Sequence, residues 1–149
     1  MHDLINNLSI LQSLRPQTVQ GSALNSGNID MQGAEALAIV VLVGDIADTL
    51  DSTHRIDLKN EHAEDDGTGV PAAYAACTDE DVLNFTGLSS GIFMAVDGSG
   101  DEQKRYAIGY RGGKRFVKVT ATPVSLSTGG PIAMLAIKGN LSSLPAANT

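Results

Sequence analysis

Acidic and polar side chains crowd one stretch of this chain: Asn60, Glu61, His62, Glu64, Asp65 and Asp66, followed by Gly67 and Gly69. Hard oxygen donors set among glycines are the chemistry of a calcium loop, because Ca2+ takes about six to eight oxygens in a flexible setting. Glu61, Asp65 and Asp66 are the candidate ligands. Their spacing departs from the EF-hand pattern, and Glu61 belongs to a run whose outward face is polar in any case. The stretch therefore reads as a solvated loop, and no metal centre is assigned to it. The histidines are His2, His54 and His62, and one His without partners does not make a soft-metal site. Cys77 sits in AAYAACTDED, with no nucleophile elbow or cysteine-protease signature around it. It reads as a small buried thiol just ahead of a helix cap. The GSG of Gly98 to Gly100 lies in a polar turn, and RGGKR at Arg111 to Arg115 lacks phosphate-loop geometry. No residue takes a catalytic role, so the chain is read as no enzyme, and no cofactor is implied. Arg111, Lys114 and Arg115 do form a basic tip on an acidic protein, a candidate contact with an acidic surface or phosphate.

Composition narrows the partners. The chain has 149 residues, a formal net charge of −7 and an isoelectric point near 4.7. Such a surface repels phosphate backbones, so nucleic acid is not an expected partner. Hydrophobic residues make up 42% but aromatics only 4%, with no Trp, so the core must be aliphatic. The single Cys excludes an internal disulfide. The start, MHDLINN, lacks a basic region followed by an apolar one, and the longest apolar run, Ala36 to Val43, is too short to span a bilayer. The expectation is a soluble protein with no membrane partner.

The elements that would position these groups are strands. Sixteen Gly, with many Ser, Thr, Asn and Asp, is the composition of short strands joined by turns. Ala36 to Val43 reads as a buried strand closed by Gly44. Thr53 to Glu61 alternates cleanly, Ile56 and Leu58 one way and Arg55, Asp57, Lys59 and Glu61 the other; His54 shares the parity of the apolar pair and falls at its rim. Pro71 to Phe85 reads as locally helical, with Thr78 and Asp81 as a capping box. Ile92 to Val96 and Pro131 to Lys138 are further strands, and the tail LSSLPAANT reads as irregular.

Lys104 to Thr122 carries the strongest pattern. Two β-rich runs flank Gly112-Gly113, which reads as a hairpin with a type I′ turn. That register sets Tyr110 opposite Arg115 as a cation–π pair, Ile108 opposite Val117 and Tyr106 opposite Val119, with Tyr106, Ile108, Val117 and Val119 on one apolar face. At the other end, Leu4, Ile5, Leu8, Ile10, Leu11 and Leu14 fit a helical stripe or a strand, and Pro16 ends either. Residues 1–28 are taken as an N-terminal arm, belonging to the same domain or exchanged between subunits. Residues 29–149 form a single domain. The expected fold is mainly all-β, an antiparallel β-sandwich or small barrel with one short helix.

MHDLINN, IDMQGAEA, NEHAEDDG and YAIGYRGGKRFVKV, in that order, resemble a family of small structural proteins of tailed phages that accompany the major capsid protein. The matching positions are Met1 to Leu4, Asp30 to Gly33, Glu61 to Gly67 and Tyr106 to Val117. VPAAYAACTDEDV departs from the family, being longer and alanine-rich. The resemblance implies a β-rich decoration, or cement, protein on the outer surface of the head shell. It also implies a homo-oligomer, a trimer before other states, with the major capsid protein as partner and the virion as location. Leu4, Ile5 and Leu8 of the arm, with Arg111, Lys114 and Arg115, are then the candidate capsid or subunit contacts. A head–tail connector or tail component is the neighbouring alternative. A calcium- or carbohydrate-binding β-sandwich module, resting on the acidic loop, is the alternative from another class.

Overall fold

A computed structural model describes residues 3–146 and 148. Met1 and His2, the first two residues of the MHDL motif, lie outside them. Strands run in the order β1 (Ser9–Val19), β2 (Leu24–Asn25), β3 (Ile29–Asp30), β4 (Ala34–Val43), β5 (Arg55–Ala63) and β6 (Ala75–Ala76). After a single 3-10 turn at Asp79–Asp81 come β7 (Val82–Leu83), β8 (Ile92–Val96), β9 (Arg105–Tyr110), β10 (Phe116–Val124) and β11 (Gly130–Leu141). The first sheet has the order β1-β11-β4-β9-β7; the second has β2-β10-β5-β6, with β3 also on β10 and β8 also on β5. Every pairing is antiparallel. The two sheets close over one aliphatic core in which Ile39, Val41, Ile56, Leu58, Val117, Val119, Ile132 and Met134 are essentially inaccessible. Strands with one face on this core alternate buried and half-exposed, as β4 and β5 do. The chain is an all-β sandwich.

The Gly112-Gly113 segment differs from the expected hairpin. β9 pairs with β4 and β7 in the first sheet, while β10 pairs with β5, β2 and β3 in the second. The turn is an arch that carries the chain across the core. Neither glycine adopts the positive φ of a type I′ turn, and Gly112 is required for another reason: a Cβ there would stand 2.5 Å from the Tyr110 hydroxyl. The alternation itself holds, since Tyr106, Ile108, Val117 and Val119 are all buried. They meet face to face between sheets rather than side by side within one. Arg115 consequently lies over Phe116, 5.0 Å from its ring centroid, and not over Tyr110.

Two further expectations need correction. Pro71 to Phe85 is not helical: it supplies β6, the three-residue 3-10 turn and β7. The Thr78–Asp81 capping box does form, but it caps only that turn, because Val82 at once pairs with Tyr110. Pro16 does not end the N-terminal element either. β1 continues to Val19 along β11, with register shifts on both sides of Leu14. β1 is the outer strand of its sheet, where a residue without an N–H is tolerated. Leu14 and Val19 enter the common core, so this part of the N-terminal region is built into the sandwich.

Candidate functional site

Three places hold the polar and apolar groups singled out above. The first is the arch. Arg115 donates from Nε and Nη2 to the Asp30 carboxylate at 2.9 and 2.8 Å, from Nη2 to Gln32 Oε1 at 2.7 Å, and from Nη1 to Asp65. The Asp30 bonds, with the Asp65 charge behind them, hold the guanidinium above its ordinary pKa, and Arg115 in turn pulls Asp30 below the usual carboxylate range. Lys114 Nζ stands 3.7 Å from Glu64, and Arg111 Nε donates to the Glu80 carbonyl at 2.7 Å. The basic tip is thus largely answered from within the chain. Arg115 acts as a clamp joining β3, the acidic loop and the start of β10.

In the acidic loop the candidate calcium ligands face different ways. Asp65 accepts the amides of Gly67 and Gly69, each at 2.8 Å, as well as Arg115, while Asp66 accepts the Thr68 amide and hydroxyl. Glu61 lies on β5 and turns to the outer face of the second sheet, with Lys59 Nζ at 2.9 Å and Lys118 Nζ at 3.5 Å. The Gly69 and Gly67 amides hold Asp65, and the Thr68 hydroxyl and amide hold Asp66, below the ordinary carboxylate pKa. Glu61, Asp65 and Asp66 do not converge on one point. Along the same face Arg55 pairs with Asp57 at 2.8 Å, and Lys118 sits 3.9 Å from the Tyr74 ring centroid. His54 lies in the turn ahead of β5, its Nδ1 3.1 Å from Asp51.

The outer face of the first sheet is of another kind. Across β11, β4 and β9 the outward positions are Ala133, Leu135 and Ile137; Ala36, Ala38, Val40 and Leu42; and Arg105, Ala107 and Gly109. Arg105, at one end, is the sole charge in that set. Leu83 on β7 adds a side chain 47% exposed and leans on Gly109, where a Cβ would come within 3.0 Å of it. Leu8 lies over Gly139 and lines, with Ala36, Ala38, Leu83, Ala107 and Ile137, a shallow apolar groove of about 350 Å³. Of the proposed contact residues, Leu8 therefore joins this face. Leu4 and Ile5 are exposed in the turn just before β1. The tail fastens that turn, because Asn148 Nδ2 donates to the carbonyls of Ile5 and Leu8 and Asn148 Oδ1 accepts the Ile10 amide. Arg111, Lys114 and Arg115 belong to the arch and do not join the Leu8 cluster.

A third place was not foreseen from the sequence. The donor atoms of His62 and Cys77, both buried, and of the half-buried Asp81 lie within 4.8 Å of one another, the one such group of three among the described residues. His62 faces inward on β5, where Nδ1 meets the Tyr110 hydroxyl at 3.0 Å, and the two rings stand edge to face. Burial pushes its pKa down and pushes the Cys77 thiol up to about 12, with the Asp81 and Glu61 charges adding to the latter. The thiol is not a nucleophile in this state. Period-two alternation along Ile56, Leu58, Asn60 and His62 was the available signal, since it turns His62 inward.

No protein-family model and no curated protein matches this chain.

Proposed function

We propose that this chain is a structural protein of a tailed-phage particle that decorates the outer surface of the head shell. The observation that supports it most is the apolar outer face of β11, β4 and β9, charged only at Arg105 on its end, opposite a second sheet whose outward charges are already paired. Contiguous apolar surface of this kind is lowered in free energy by covering it with protein. The family resemblance supplies the partner, the major capsid protein, and the oligomer, a trimer. Repetition on a lattice lets each contact be modest while the assembly holds. Among the described residues no helix is long and apolar enough to cross a membrane.

The test is co-sedimentation of the purified chain with undecorated shells of the same phage's major capsid protein. Saturable binding at regular stoichiometry is expected, and no co-sedimentation at modest salt would overturn the reading. Sedimentation equilibrium of the free protein reads the second element, with three copies expected and a strict monomer at all concentrations opposing it. Labelled protein found at one vertex alone would replace shell decoration with a head–tail connector.

A further inference from the structure

The cluster formed by β5, the residue after β6 and the 3-10 turn has no part in the proposed shell docking. We infer that His62, Cys77 and Asp81 form a binding site for one transition-metal dication, with Zn2+ the best match. Imidazole nitrogen, thiolate sulfur and carboxylate oxygen are the donors this ion takes in tetrahedral sites. Around a tetrahedral zinc with ordinary bond lengths, donors stand roughly 3.4–3.6 Å apart. Atoms already within 4.8 Å need only small side-chain adjustments to reach that spacing.

The surroundings fit as well as the donors do. Thr78 gives both its amide and its hydroxyl to Asp81 Oδ2, at 2.8 and 2.9 Å, which leaves Oδ1 pointing toward His62 Nδ1 at 4.0 Å. The Thr78 bonds hold the Asp81 carboxylate as supporting hydrogen bonds do in metal sites. The Tyr110 hydroxyl meets His62 at the same Nδ1, 3.0 Å away, so ligation through Nδ1 requires that hydrogen bond to give way.

Asn60 supplies an independent observation. It is completely buried, and neither its side-chain oxygen nor its nitrogen has a hydrogen-bond partner. Orphaned buried amides are costly, and an unseen water or ion is a recognised explanation. The Cys77 amide donates to the Asn60 carbonyl at 3.1 Å, and the neighbouring pair is Glu61 with Ala76, so Asn60 and Cys77 stand opposite each other. Both side chains face the interior, as His62 does two residues along. The unpartnered Asn60 amide therefore lies on the same inner face as Cys77 and His62. An open depression of about 570 Å³ lined by Ala76, Cys77, Thr78 and Gly91 lies beside the cluster.

The experiment is a Co2+ titration of the full chain after treatment with chelator, followed by competition with Zn2+. A thiolate-to-cobalt charge-transfer band that saturates at one ion per chain and is abolished by Zn2+ is expected. Cys77→Ala should lose the band, and Asp81→Asn, which keeps an acceptor for Thr78, should weaken binding more than about tenfold. Zn2+ should raise the unfolding temperature of the unaltered protein but not that of Cys77→Ala. A folded, unaltered protein that shows no thiolate band overturns the inference, whether or not the variants fold. So does equal metal affinity in Cys77→Ala, which would place the ion elsewhere. Shell binding is scored separately, so failure of either proposal leaves the other standing.

Discussion

On the outward face of the second sheet, Arg55 answers Asp57, and Lys59 and Lys118 share Glu61. At the corresponding positions of the first sheet, Ala38, Val40, Leu135 and Ile137 present methyl groups, and Leu42 and Leu83 are 40% and 47% exposed. Both faces belong to strands with the same inward aliphatic packing, so core formation does not account for the difference. Paired charges make a surface content with water and unreceptive to apolar partners, whereas a methyl-covered sheet gains free energy when covered. Under the proposed function, docking falls to the methyl-covered face and solvation to the other.

The sharpest way to break the contrast is to place a charge on the apolar face. Leu135→Glu should lower shell affinity at least about 100-fold (~2.8 kcal/mol), because the carboxylate would be buried unpaired at the contact. Thr122→Glu, an exposed outward position on β10, is the control and should leave shell affinity within about twofold. Co-sedimentation isotherms measure both, and equal losses would erase the distinction between faces.

Stability probes the second face. Glu61→Ala removes the acceptor shared by two lysines and should cost about 1 kcal/mol in denaturant unfolding with shell affinity unchanged. Loss of binding on that substitution would move docking to the charged sheet.

Acid titration sharpens the role of the Arg115 clamp. Its hydrogen bonds hold the Asp30 carboxyl below its ordinary value in the folded state. The unfolded chain therefore binds the proton more readily, and the stability so conferred, present at neutral pH, is lost as pH falls below about 4. Asp30→Asn should show a shallower decline of unfolding temperature through that range; parallel curves would remove the clamp from the account. A small effect belongs to Arg111→Ala with Lys114→Ala, which should change shell affinity by less than about threefold, and more at low salt than at high.

Much of this architecture was legible in the chain. Ile56 and Leu58 declared β5, and the run from Ala36 to Val43 declared β4, because one-sided burial imposes a period of two. The arch was not legible. Strands that turn back beside each other and strands that cross to a facing sheet share the same alternation, and only distant partners, β4 for one and β5 for the other, distinguish them. Gly112-Gly113 suggested a tight turn by type, yet Gly112 serves to admit the Tyr110 ring. Helix is not formed over Pro71 to Phe85, because a capping box marks one turn as readily as several. The basic tip looked free because Asp30 lies far away in sequence from Arg115. His62, Cys77 and Asp81 were hidden similarly: their spacing matches no ligand motif, and the register of β5 with β6 brings them together. The outer apolar face follows from sheet order, which places β4 between β11 and β9 and lines up three alternating strands.

An image reconstruction of the decorated head at side-chain detail tests the central claim most directly. It should show this chain on the shell with Val40, Leu135 and Ile137 buried against the major capsid protein and the Lys59–Glu61–Lys118 face toward solvent. The opposite orientation, or a shell from which this chain is missing, would contradict it.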